Sequence, residues 1–130
     1  MSHRTIETAE APRPIGPYVQ AIDTGDTVYC AGQIALDPQT GRLIEGNFAA
    51  EATRVIGNLR AVLVAAGLDL SDVVKTTVYL TDLSNGPALN DVYGGLFSAP
   101  YPARATVQVA GLPAQARVEI DAIARRRSSG

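Results

Sequence analysis

Residues 101–127 read YPARATVQVAGLPAQARVEIDAIARRR, a pattern typical of two strands joined by a turn. Apolar and β-branched residues dominate the runs 105–110 and 117–124, and GLPAQ lies between them. Arg104 stands at the entrance of the first run, just after Pro102. Since a guanidinium stays charged at any working pH, Arg104 is either a solvated strand end or an anchor for an anion.

Upstream of this pair, the sequence predicts two helices among further strands. Apolar residues recur at three- and four-residue intervals over 55–66, between a capping Asn47 and a terminating Gly67. A weaker stripe over 89–97 follows Pro87 and contains two glycines. Glycine lowers helix stability by roughly 1 kcal/mol relative to alanine, so the second helix is the less stable one.

Strands account for most of the remaining chain. Two β-rich runs flank a hairpin turn at residues 24–26, and the β-branched run 72–82 is another strand. A short strand near Thr5 is left open. The predicted order is β-β-α-β-α-β-β, an α+β domain over residues 1–130 in which two helices back one face of a mixed sheet.

The alternation of side chains assigns residues to the two faces of this sheet. We expect the odd-numbered residues after Arg104 to face the helices, and Arg104 and Thr106 to share the uncovered face with Glu119. That face mixes apolar and polar residues, which favours contacts between subunits. A monomer with a solvated sheet is the alternative.

Composition excludes several kinds of chemistry. Of the 130 residues 46% are hydrophobic and the formal net charge is −2, which favours one globular domain without general attraction to nucleic acid or membrane. We expect the arginine run 125–127 to be a solvated tail.

Cys30 is the only cysteine and His3 the only histidine, which excludes an intrachain disulfide and a Cys/His zinc centre. Without a recognisable signal peptide or spanning segment, we expect a cytoplasmic protein, with Cys30 buried as a small hydrophobe.

Three other side chains are candidates for a site with Arg104. Glu119 could hold and polarise a water, or pair with Arg104 or Lys75. Tyr18 follows a Gly-Pro pair and could contact a ligand or a neighbouring subunit. Asn90 is by default a cap of the second helix, and otherwise a ligand donor.

Six stretches of the chain together resemble the RidA/YjgF family, the enamine/imine deaminases. They are IGPYVQA (15–21), CAGQIALDPQTG (30–41), AAGLDLSDVVKTTVYLTD (65–82), LNDVYGGLF (89–97), YPARATVQVAGLP (101–113) and VEIDAIA (118–124). The resemblance implies a chorismate-mutase-like fold and a homotrimer with ligand clefts between subunits. It also implies hydrolysis of 2-imino and 2-enamino acids, such as 2-iminopropanoate and 2-iminobutanoate, to 2-keto acids and ammonia without cofactor or metal.

The resemblance also implies roles for individual residues. Arg104 would bind the substrate carboxylate and Glu119 would orient the hydrolytic water. The cleft would be lined by Tyr18, Gly32, Asn90 and Thr106, with backbone contacts at Gly32 and Thr106. Two positions depart from many deaminases of this family, since Ala31 stands in place of a serine and Thr106 in place of a cysteine.

Two further functions stay open for a protein of this kind. One is a trimer that binds small carboxylates without catalysis, as a sensor or regulator. The other is a ribonuclease or translation inhibitor, against which the acidic balance and the single histidine weigh.

Overall fold

The computed structural model describes residues 3–127 and shows a mixed sheet with two helices on one face. In chain order the elements are β1 (Arg4–Ile6), β2 (Ala21–Asp23), β3 (Thr27–Gln33), α1 (Phe48–Ala65), β4 (Val73–Leu80), α2 (Gly86–Leu96), β5 (Ala103–Gln108) and β6 (Val118–Arg125). The strands lie in the order β1-β2-β3-β6-β4-β5, and only β4 and β5 pair in parallel. The predicted α+β class is confirmed, and the strand left open near Thr5 is present as β1.

Helix α1 begins and ends where its local sequence predicts. Asn47 Oδ1 accepts a hydrogen bond of 2.9 Å from the backbone N–H of Ala50. Gly67 has a φ of 81°, a left-handed conformation that suits glycine after a helix. The buried face of α1 includes Val55, Ile56, Leu59, Val62 and Leu63. It packs against β3 and β6 and so forms the centre of the core.

Helix α2 has Pro87 in its first turn, as proline at this position favours. The default prediction that Asn90 caps this helix is wrong, because Asn85 occupies the N-cap position and Asn90 lies one turn inside. Leu89 and Tyr93 are buried, so they hold α2 against the core and leave Asn90 at its margin. No helix within residues 3–127 has the length and apolar character needed to cross a membrane.

The predicted facing of β5 is reversed in the structure. Thr76 of β4 is fully buried beneath the helices, and its register partner in the parallel strand β5 is Arg104. Arg104 therefore lies on the helix side, and Ala105 and Val107 lie towards the uncovered side. Alternation separates two faces but does not say which one the helices cover. Arg104 is nevertheless exposed to solvent, because β5 is an edge strand of the sheet.

The uncovered face of the sheet, called the open face below, carries apolar side chains from several strands. Tyr29 of β3 is 50% exposed and Val107 of β5 is 42% exposed. Ile123 of β6 is the register partner of Tyr29 and is partly exposed. Exposed apolar surface of this kind is typical of subunit contacts. The oligomer stays a prediction.

The arginine run 125–127 is only in part a solvated tail. Arg126 pairs with the buried carboxylate of Asp23 and donates a hydrogen bond of 2.9 Å to the carbonyl of Ala66. Arg4 also donates to Asp23, at 2.9 Å. These hydrogen bonds, that from Arg4 foremost, lower the pKa of Asp23 to about 2. The prediction of a solvated tail is therefore wrong for Arg126, which ties the end of β6 to α1 and β2.

Candidate functional site

The side chain of Arg104 lies in an open pocket between β5 and α2. Its Nη2 donates a hydrogen bond of 2.8 Å to Asn90 Oδ1, and its guanidinium carbon lies 4.9 Å from the centroid of the Tyr93 ring. Asn90 is the only hydrogen-bond partner of this guanidinium within residues 3–127. The pocket has a volume of about 380 Å³ and is lined by Asn90, Tyr93, Gly94, Tyr101, Pro102 and Arg104. A guanidinium with free donors in an open pocket suits a small anion.

Tyr93 also lines this pocket, although the sequence places it only in the apolar stripe over 89–97. Its hydroxyl lies 2.8 Å from Thr76 Oγ1, and its ring stacks on Phe97 with a centroid distance of 4.3 Å. Burial raises the pKa of Tyr93, so the phenol stays protonated beside Arg104. The signal that could have revealed it is its three-residue spacing from Asn90, which puts both on one side of α2.

Glu119 of β6 lies on the open face and is half-buried. Burial, and secondarily the charge of Asp121, raises the pKa of the Glu119 carboxyl. A Cβ on Gly32 of β3 would lie 2.8 Å from Glu119 Cδ, closer than real contacts allow. The structure therefore brings Gly32 and Glu119 together, and a glycine is needed there to leave room for the carboxylate.

An ion pair between a buried carboxylate and a partly exposed guanidinium anchors the chain just before β6. Glu51 of α1 is 2% exposed and accepts hydrogen bonds of 2.7 Å from both the backbone N–H and Nε of Arg117. The guanidinium of Arg117 also donates to the Gly46 carbonyl at 3.0 Å. Because Arg117 precedes Glu119 by two residues, this pair helps to set where the Glu119 side chain emerges from the sheet.

Arg104 and Glu119 do not meet within one chain. Arg104 is on the helix side of β5, whereas Glu119 is on the open face of β6, and β4 lies between the two strands. The expectation that they share a face is therefore wrong, as are the alternatives that pair Arg104 or Lys75 with Glu119, since neither is among the ion pairs of residues 3–127. A site that uses both residues needs a second copy of the chain.

The two other predicted lining residues lie in different surroundings. Thr106 is on the same strand and side as Arg104, and its buried Oγ1 has no hydrogen-bond partner within the described chain. Tyr18 lies between β1 and β2 and is 48% exposed. Its hydroxyl accepts a hydrogen bond of 3.2 Å from the backbone N–H of Ile15, so it is held within its own loop and does not line the Arg104 pocket.

Cys30 is buried in the sheet, as predicted for a small hydrophobe. Burial raises the pKa of its thiol to about 12, which keeps it protonated and makes it a poor nucleophile. Within residues 3–127, no three histidine, cysteine or acidic side chains lie close enough together to hold a metal ion.

A mixed sheet backed by two helices, with an arginine pocket at its edge strand, defines a small α+β domain. Residues 8–126 match the family model described as Endoribonuclease L-PSP, and the chain belongs to this family, the RidA/YjgF family. It is 50% identical to protein DfrA of Myxococcus xanthus over 95% of this chain and 96% of that protein. It is 46% identical to the human 2-iminobutanoate/2-iminopropanoate deaminase, over 93% of this chain and 88% of the human one.

Solved structures agree with this assignment. RidA from the Antarctic bacterium Psychrobacter sp. is 50% identical, with a TM-score of 0.92 over 95% of this chain and 99% of that one. TdcF of E. coli with bound serine is 42% identical, with a TM-score of 0.90 over the same shares of the two chains.

Proposed function

We propose that this protein hydrolyses reactive 2-imino and 2-enamino acids to 2-keto acids and ammonia. The observation that carries the proposal is the Arg104 guanidinium, which is held in an open pocket with most of its donors free. Relatives at 46% to 48% identity that are named 2-iminobutanoate/2-iminopropanoate deaminase support it.

Arg104 would bind the substrate carboxylate. A guanidinium presents five N–H donors in a planar fork, and Asn90 takes only one of them here. The remaining donors match the two oxygens of a carboxylate, a charge-assisted contact of about 1.5–3 kcal/mol. Because Asn90 and the Tyr93 ring already orient the Arg104 guanidinium, this side chain loses little conformational entropy when the substrate binds.

Glu119 would act on the hydrolytic water. A half-buried carboxylate with a raised pKa is a better proton acceptor than an exposed one. Water adds to the carbon of the C=N bond while Glu119 takes one of its protons and passes it to the nitrogen, which gives a carbinolamine. The C–N bond of the carbinolamine then breaks as its hydroxyl proton is transferred to the nitrogen, so that ammonia leaves. The carbon retains the water oxygen as the keto group, so the step needs no oxidant, metal or cofactor.

The proposed site is shared between subunits of a homotrimer. Arg104 and Glu119 lie on opposite sides of one sheet, so Arg104 of one copy would bind the substrate carboxylate while Glu119 of a neighbouring copy acts on the water. The exposed apolar side chains of the open face support such packing. Tyr18, Gly32 and the backbone of Thr106 would complete the walls of the cleft.

The proposed setting is the cytoplasm, whose reducing conditions suit an unpaired Cys30. Substrates would come from enzymes that eliminate water from hydroxyamino acids and release 2-enamino acids.

A second candidate function is binding of small carboxylates without catalysis. The structure of E. coli TdcF carries bound serine, a small carboxylate that is neither imine nor enamine. An arginine pocket of the kind seen around Arg104 would hold such a ligand equally well, so kinetics must separate the two functions.

The test is release of ammonia and keto acid from 2-iminopropanoate and 2-iminobutanoate, generated in situ by a pyridoxal-phosphate dehydratase. Wild type is compared with Arg104→Ala and with Arg42→Ala, which removes an exposed arginine outside the pocket. We expect wild type and Arg42→Ala to exceed the spontaneous rate and Arg104→Ala to fall back to it. Binding of pyruvate without acceleration favours the second candidate, and RNA cleavage that survives Arg104→Ala would overturn both.

A further inference from the structure

Tyr79 of β4 lies beside two carboxylates of β6 on the open face. Tyr79 is the cross-strand register partner of Glu119, yet its hydroxyl donates to Asp121 Oδ2 at 3.1 Å. Residues 119 and 121 are two apart on one strand, so both carboxylates point to the same side. The phenol therefore lies beside both acids and gives its only proton to Asp121.

This arrangement leaves the Glu119 carboxylate without a hydrogen bond from residues 3–127. No donor within the described residues reaches its carboxylate, while Gly32 below provides the space that the side chain occupies. A half-buried acid with free lone pairs is available to a water or a substrate. Asp121, by contrast, is engaged by Tyr79.

We propose that Asp121 is a positioning residue for Glu119: held by the Tyr79 hydroxyl, it places a fixed negative charge beside Glu119 and takes the hydrogen bond of Tyr79, the cross-strand partner of Glu119. The inference rests on the proposed function, because it assigns Glu119 the role of proton acceptor. The aspartate acts through Glu119 and is not itself in contact with the substrate.

The electrostatic surroundings of Glu119 support this division of roles. Asp121 from β6 raises the pKa of Glu119 in addition to burial, and Tyr79 is the other titratable group beside both acids. Lys75 of β4 lies further along the open face, opposite Ile123. From β3, Tyr29 is on the same face opposite Ile123, and Cys30 stays neutral. The helices cover the other side, and among the described residues Asp121 is the charged group that shifts the pKa of Glu119.

The negative charge of Asp121 makes Glu119 a stronger base. A glutamate with an ordinary pKa is a weak base at neutral pH, and a neighbouring negative charge increases its proton affinity. Glu119 would then take the proton of the attacking water more readily and return it to the departing nitrogen.

The first experiment uses Asp121→Asn, which keeps an acceptor for Tyr79 and removes the charge. Carboxyl-¹³C-labelled glutamate reports the titration of Glu119 by NMR, with Glu119→Gln to assign the signal, and kcat/KM is measured against pH for 2-iminopropanoate. We expect the Glu119 titration and the acidic limb of kcat/KM to move to lower pH together. Glu10→Gln is the matched control, since it removes one exposed carboxylate beside α1 and should move neither.

A second variant, Tyr79→Phe, keeps the ring and removes only the donor. Without that hydrogen bond the Asp121 carboxylate is free to turn away from Glu119, and we expect the Glu119 titration to move to lower pH, by less than in Asp121→Asn. An unchanged Glu119 titration in both variants would overturn the inference even if the wild type is an active deaminase. A wild type without deaminase activity but with the expected NMR shifts would refute the proposed function and leave the relation between Asp121 and Glu119 intact.

Discussion

The guanidinium carbon of Arg104 lies 4.9 Å from the centroid of the Tyr93 ring, so a core aromatic forms one wall of the pocket that contains Arg104. The ring itself is fixed by Thr76 and Phe97. The direction of the arginine is therefore set by packing inside the protein as well as by the hydrogen bond to Asn90.

Replacing Tyr93 should weaken binding of carboxylates. A cation–π contact of this kind is worth about 1 kcal/mol, or roughly fivefold in affinity. We expect Tyr93→Leu to raise the Kd for pyruvate by about this factor in a calorimetric titration. Tyr93→Phe keeps the ring and should bind pyruvate as the wild type does, while losing about 1 kcal/mol of stability with the hydroxyl contact to Thr76. Equal Kd values for wild type and Tyr93→Leu would contradict this role.

A methyl group at Gly32 should displace Glu119. The added Cβ would overlap the Glu119 carboxylate, and a displacement of about 1 Å is enough to lower turnover on the order of 100-fold. We expect Gly32→Ala to fold and to lose kcat for 2-iminopropanoate.

Gly57→Ala is the matched control for that variant. A Cβ at Gly57 in α1 meets nothing within 4 Å, so this change should stabilise the helix by roughly 0.5–1 kcal/mol with normal turnover. Full activity of Gly32→Ala would show that the position of Glu119 is not critical.

A charge on the open face should split the assembly. We expect light scattering to report three chains per particle for the wild type and fewer for Val107→Lys, because a lysine would be buried in the subunit contact. Val64→Lys makes the same change at a 55% exposed position on α1, outside this face, and should leave the particle mass unchanged. A monomeric wild type would refute the trimer and the shared site together.

Stability should depend on Asp23 at low pH. Its folded-state pKa is lowered to about 2 from 3.8, chiefly by the hydrogen bond from Arg4 and further by Arg126. Its contribution is therefore fully present above pH 3.8 and is lost as the pH falls from there towards 2. Urea unfolding across that range should show a smaller loss for Asp23→Asn than for wild type. Parallel losses in the two proteins would show that Asp23 does not drive the acid transition.

Local signals in the sequence were sufficient for much of the fold. Asn47 and Gly67 bound α1 as predicted because capping and left-handed turns depend on neighbouring residues alone. The strands containing Arg104 and Glu119 were likewise predicted to within a few residues, since alternation and β-branched composition are local properties. The family resemblance, carried by motifs spread along the chain, is confirmed by the matches to known proteins.

What the sequence by itself determined was thus the elements, their order and the two candidate residues Arg104 and Glu119. Only the tertiary structure decided that these residues lie on opposite sides of the sheet, that Asn90 and Tyr93 hold Arg104, and that Tyr79 binds Asp121. The reason is that side-chain alternation determines only which residues of one strand share a face. The strand order β6-β4-β5 and the position of α2 on the sheet depend on contacts between segments that are distant in the sequence.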